Sequence, residues 1–117
     1  MVNAQVCVAI KRVYVHSSIY DAFAKELGNC VQALKVGNGM DEATQLGPVQ
    51  NEMQYVRLQS LVASIKAEGL KILTGDLDKT FTSTKGHFVN PVIVDNPPDD
   101  SKIVTEEPFG MPSTLNS

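Results

Sequence analysis

The chain has 117 residues, 43% hydrophobic and 20% charged, with a formal net charge of −3. That length suits one small domain, and the apolar fraction excludes a disordered chain. No run of about 18 apolar residues is present, so no membrane span is expected, and the mild acidity argues against a nucleic-acid surface.

The opening stretch Met1-Val2-Asn3-Ala4-Gln5 has neither the charged nor the apolar part of a secretion signal, so a cytoplasmic location is expected. The cysteines are Cys7 and Cys30, the histidines His16 and His87. No C-x-x-C or H-x-x-x-H spacing occurs, and no metal site is expected. A Cys7–Cys30 disulfide is not expected in a reducing compartment.

In chain order, Arg12-Val13-Tyr14-Val15-His16 is rich in β-branched and aromatic residues and predicts a strand. Ser17-Ser18 offer an N-cap, and Ile19, Phe23, Leu27, Val31 and Leu34 fall on one helical face. Cys30 lies beside that stripe and is expected to be a small buried hydrophobe. Gly37 and Gly39 end the helix, and a polar connection runs to Gly47-Pro48. Asn51 and Gln54 can form a capping box for a second helix. Its predicted face is Met53, Val56, Leu61 and Ile65, broadened by Leu58 and Val62, and Gly69 ends it.

Leu70 to Thr74 predicts a short strand, and the strand–helix–strand order favours parallel pairing. Leu77 to Gly86 is polar and predicts a surface loop. Phe88 to Val94 predicts a third strand region, with Pro91 where no ladder donor is needed. Asn96 to Asp100 is a loop by composition, and Ser101 caps a short turn through Glu106. Met111 to Ser117 carries no periodic pattern. The expected fold is α/β, about three strands with two main helices and a mostly parallel sheet. The two helices are expected to cover one face, leaving the other without a partner.

By residue type alone, Glu106-Glu107 is a solvated acidic pair and Phe109 a core aromatic. In context the chain resembles the aldehyde dehydrogenase superfamily from Asn3 to Gly110. Asn3-Ala4-Gln5-Val6-Cys7 is similar to the family's N-x-G-Q-x-C pattern around its catalytic cysteine. Gly37, Asp41, Thr44, Gly47 and Pro48 match G-x-x-x-D-x-x-T-x-x-G-P, and Gly86 to Val92 resembles G-y-f-v-x-P-t. Glu106-Glu107-Pro108-Phe109-Gly110 matches E-E-x-F-G.

The resemblance implies NAD(P)-dependent oxidation of an aldehyde to a carboxylic acid. Cys7 would attack the carbonyl as a thiolate and form a thiohemiacetal; hydride loss to the nicotinamide leaves a thioester that an activated water cleaves. Glu107 would bind the ribose hydroxyls beside the nicotinamide, and Phe109 would contact the nicotinamide side. Gly110 would permit a tight backbone.

Three departures limit that implication. The glycine before Gln5 is absent, which bears on the Cys7 thiol and on the oxyanion site built from its backbone N–H. No dinucleotide-binding glycine motif and no match to the family's general-base glutamate occur in these residues. After Gly110 the sequence departs from the family's proline and apolar strand. Residues 1–117 are therefore expected to be part of the catalytic domain without the cofactor-binding domain. The chain alone is expected to bind neither NAD nor NADP and to be inactive. The alternative expectation is a non-catalytic module that self-associates or docks a full-length paralogue through an exposed sheet face.

Overall fold

The computed structural model describes residues 3–81 and 85–117. Strand β1 spans Arg12–Tyr14 and helix α1 Tyr20–Gln32, entered through a 3-10 turn at Ser17–Ile19. Then come α2 (Glu52–Ala67), β2 (Ile72–Thr74), β3 (Val92–Asp95), the single-turn α3 (Lys102–Thr105) and β4 (Pro112–Asn116). The strands form one sheet in the order β1-β4-β3-β2. Strand β4 pairs in parallel with both β1 and β3, and β2 pairs antiparallel with β3.

The α/β class and mostly parallel sheet hold, with four strands rather than three. The extra one is β4, in the stretch without periodicity. It lies between β1 and β3, and Thr114 and Leu115 are both buried, so each of its faces is inside the molecule. A strand buried on both faces does not alternate polar with apolar, and short polar residues conceal it. The parallel expectation for β2 fails for another reason. The described residues between β2 and β3 form no helix or strand, and a loop suffices for an antiparallel pair whereas a parallel one needs a crossover.

The helices do not share a face. Helix α1 brings Ala24, Leu27 and Val31 to Val13, Leu73, Ile93 and Leu115. Helices α2 and α3 bring Leu61, Ile65, Ile103 and Val104 to Ile72 and Val94. Ile93 and Val94 are adjacent in β3 and therefore point to opposite sides. Among the described residues both faces carry helices, so the sheet face that the docking expectation left without a partner is packed, with Arg12 and Tyr14 of the edge strand β1 exposed.

Two stripe predictions shift. The buried positions of α1 are Ala24 and Gly28, while Ile19, Phe23 and Cys30 are exposed. Small residues let the helix approach closely, and a Cβ on Gly28 would stand 3.9 Å from that of Thr74. Cys30 is thus a surface thiol. Helix α2 buries Leu58, Leu61, Val62 and Ile65 but exposes Met53 and Val56. In its first two turns the inward positions belong to Gln54 and Tyr55, the latter packed with Leu58, Val49 and Val89.

The caps also differ in detail. The His16 ring, not Ser17 or Ser18, accepts the Ser18 N–H at 3.2 Å. Asn51 Oδ1 accepts the Gln54 N–H at 2.9 Å, as predicted, but the Gln54 side chain does not return the bond. Ser101 stops α3 from fraying through its carbonyl, which accepts from Val104 and Thr105, while its hydroxyl donates to Pro98 O. The predicted loop over Leu77 to Gly86 is turn and bend where described, and residues 82–84 of it lie outside the described residues.

Candidate functional site

Strands β1, β3 and β4 run in parallel, so the segments that enter them gather at one end of the sheet. Cys7 lies just before β1, and Glu107 to Gly110 lie just before β4, its neighbour in the ladder. The topology therefore brings together two segments about a hundred residues apart in the chain.

The Cys7 segment is a tight turn. Asn3 and Ala4 both adopt left-handed backbone, with φ of 51° and 57°. Asn3 is buried, and its side-chain amide donates to Gly47 O. Gln5 Oε1 accepts the Gln50 N–H at 3.0 Å, and Ala9 N donates to Val6 O at 3.0 Å. That last bond closes the turn that presents Cys7 and Val8 to solvent. The missing glycine has a structural counterpart: directly before Gln5, Ala4 holds a backbone angle that glycine adopts without strain.

The second segment is held by its main chain. The Gln54 carboxamide donates to Pro108 O at 2.9 Å and to Phe109 O at 3.0 Å, and Arg57 donates to Glu107 O at 3.0 Å. Phe109 has a φ of 44° and is half-buried. Gly110 is packed so tightly that a Cβ there would lie 2.8 Å from a Leu58 methyl. This is a close approach that only glycine allows, as its motif position implies. The Glu107 side chain is exposed. Glu106 is exposed as well and faces Lys102 at 3.8 Å across one helical turn.

Lys11 spans the two segments. Its ammonium donates to Ala4 O at 2.5 Å and to Gly110 O at 3.0 Å. Burial lowers its pKa below the usual lysine value, and the nearby Glu107 charge opposes that shift. Main-chain pairing adds a third tie, from Thr114 N to Lys11 O at 2.9 Å.

Cys7, Glu107 and Phe109 thus fall at one end of the sheet. Gln54, Arg57 and Lys11 are the parts that sequence reasoning did not identify as organising it. Gln54 was legible as a helix cap, and nothing in its spacing signals a reach to residue 108. A cavity of about 170 Å³ lies between the end of α1 and the entry to β3, lined by Val31, Gln32, Leu34, Thr74, Gly75, Asn90 and Pro91. None of the three expected site residues lines it. Among the described residues no group of three or more His, Cys, Asp or Glu side chains is placed to hold a metal ion.

Comparison with known proteins shows the family and the fold. The family model described as the aldehyde dehydrogenase family matches residues 1–112. Glutarate-semialdehyde dehydrogenase of Pseudomonas putida is 34% identical over 108 residues, which are 92% of this chain and 22% of that protein. Aldehyde dehydrogenase 1 of Tanacetum cinerariifolium is 40% identical over 92% of this chain and 21% of its own length. Among solved structures, an NAD+ complex of an aldehyde dehydrogenase from Bacillus cereus superimposes with a TM-score of 0.87 at 30% identity, over 98% of this chain and 23% of that one. A betaine aldehyde dehydrogenase from Staphylococcus aureus, in complex with NAD+, gives 0.86 at 33% identity over 98% and 24%. The chain therefore spans about a fifth of the length of the curated relatives it matches.

Proposed function

The chain belongs to the aldehyde dehydrogenase family, and on that premise we propose that residues 1–117 are part of a catalytic domain, supplying the nucleophile and one edge of the cofactor site for NAD(P)-dependent aldehyde oxidation. Cys7 is the nucleophile in this reading. Its thiolate adds to the aldehyde carbonyl, and the carbon–sulfur bond holds the substrate until the acyl group is released to water. Cysteine suits both halves of the task, because its thiolate attacks readily and leaves readily from a thioester.

The residues present fit one edge of a nicotinamide nucleotide. Glu107 offers an exposed carboxylate, which accepts two hydroxyl donors well, on a main chain fixed by Arg57 and Gln54. Phe109 stands two residues on as a half-exposed aromatic surface. The bound nucleotide would supply the hydride acceptor. The dinucleotide-binding portion and the general base are assigned to sequence outside these 117 residues.

The observation that carries the reading is the joining of the Cys7 turn and the Glu107–Gly110 segment at one end of the sheet. The test is a chimera in which residues 3–112 replace the matching stretch of the Pseudomonas putida relative. Aldehyde-dependent NADH or NADPH formation is expected, and it should vanish in the Cys7→Ser chimera. An active chimera that keeps its rate after Cys7→Ser refutes the assignment. The 117-residue chain alone, given aldehyde and either nucleotide, should form no reduced cofactor above its own Cys7→Ser control.

A further inference from the structure

We propose that Lys11 is a positioning residue, whose ammonium group fastens the Cys7 turn to the Glu107–Gly110 segment and so fixes nucleophile and cofactor edge relative to each other. This rests on the reading of Cys7 and Glu107 given above.

The geometry is specific. One Nζ serves two main-chain carbonyls, Ala4 O and Gly110 O, from segments that otherwise lean on different supports. The Cys7 turn is otherwise anchored to residues 47 and 50, through Asn3 and Gln5. The Glu107–Gly110 segment is otherwise anchored to α2, through Gln54 and Arg57. Lys11 bonds to both.

The two acceptors also sit where the backbone needs holding. Ala4 is itself in the left-handed region, and Gly110 follows Phe109, which is there too. Such angles persist only when surrounding contacts enforce them. Charge-assisted bonds from a half-buried ammonium are among the stronger ones available for this. The flexible lysine stem lets one charge meet two carbonyls that differ in direction.

The experiment follows amide hydrogen exchange segment by segment in the 117-residue chain. In Lys11→Met, amides of residues 5–10 and of Glu107 and residues 109–111 should exchange about fivefold faster, the equilibrium shift that losing one net hydrogen bond produces. Amides of α1 and α2 should not change, and Lys11→Arg should restore protection. In the active chimera, Lys11→Met should lower kcat and Lys11→Arg should recover it. A folded Lys11→Met chain with unchanged exchange in either segment overturns the proposal. So does acceleration spread evenly over the chain, which marks a role in global stability alone.

If Lys11→Met does not fold, competitive acetylation of the native chain decides. Lys11 must then react about fivefold more slowly than the exposed Lys25, and equal rates overturn the proposal. The Cys7→Ser chain separates the two readings, because its exchange pattern tests the fastening without any use of the thiol.

Discussion

Replacing Gly110 by alanine tests whether the segment that carries Glu107 and Phe109 is fixed by space rather than by backbone angle. Gly110 is not in left-handed backbone, so alanine costs nothing in conformation there. The methyl would nevertheless stand 2.8 Å and 2.9 Å from the two Leu58 methyls and 3.4 Å from Leu58 Cγ. Leu58 has no exposed surface and is packed with Val49, Val89, Tyr55 and Met111, so it has little room to turn. The glycine cannot back away freely either, since Lys11 holds its carbonyl and Gln54 holds that of Phe109.

Overpacking of this kind costs about 1–3 kcal/mol. A 117-residue domain has an unfolding entropy near 0.25 kcal/mol/K, so the melting temperature should fall by about 4–12 °C. The decisive comparison is a double-mutant cycle by urea denaturation. Leu58→Ala alone should cost about 2–5 kcal/mol through the cavity it leaves. In the double variant the new methyl enters that cavity, and the loss should be smaller than the sum by at least ~1 kcal/mol. If the two losses add to within about 0.5 kcal/mol, the close approach of Gly110 to Leu58 is not what the site depends on.

Other outcomes follow from the same contacts. Ala4→Gly should raise stability by about 0.5–1 kcal/mol, since relief of left-handed alanine exceeds the added freedom of the unfolded chain; a lower melting temperature would count against a left-handed Ala4. Asp95 is buried and would be pushed up by desolvation, but bonds from Lys71 and Tyr20 outweigh this and hold its pKa below the ordinary 3.8. A depressed pKa means that the stabilisation is complete above about pH 4 and is lost as pH falls through the folded value. Urea melts at pH 7 and pH 3 should therefore show a smaller acid loss for Asp95→Asn than for the native chain, and equal losses would refute the assignment. Both Cys7 and Cys30 are exposed free thiols, so a thiol reagent should titrate two equivalents in the folded protein, and a single equivalent would return Cys30 to the interior.

What the sequence made legible divides by the kind of contact involved. The existence of α1 and α2, the Asn51 cap and the Asn96–Asp100 loop between β3 and α3 follow from local spacing, composition and capping chemistry, and these hold. Which side of the sheet each helix covers does not follow from its own stripe. It depends on chain path, and the path was hidden because β4 gives no pattern. Once β4 lies between β1 and β3, α1 is drawn to the side of Ile93 and α2 to that of Val94. Cys30 shows the same limit at one residue. Hydrophobic spacing placed it near the buried stripe, but the close approach at Ala24 and Gly28 turns the helix so that it faces out. For the site, Cys7, Glu107 and Phe109 are proposed on the family resemblance, since residue type alone reads Glu107 as a solvated acid and Phe109 as a core aromatic. The groups that hold them there, Lys11 and Gln54, act on main-chain carbonyls, and a carbonyl acceptor leaves no mark in a sequence.

Burial and chemistry also separate within the molecule. The core closes through contacts internal to the chain, with helices on both faces of four strands. The site does not close. Cys7 and Glu107 face solvent, and both depend on turns whose strained angles are held by bonds to other segments. A thiol left in water gains no electrostatic help beyond what nearby charges give, whereas a nucleophile works best where water is excluded and its partners are fixed. The proposed dehydrogenase chemistry thus calls for further polypeptide for a physical reason. The end of the sheet that holds Cys7 must be covered before its geometry can serve a reaction. The stability variants above are therefore read on this chain, and the rate measurements on the chimera.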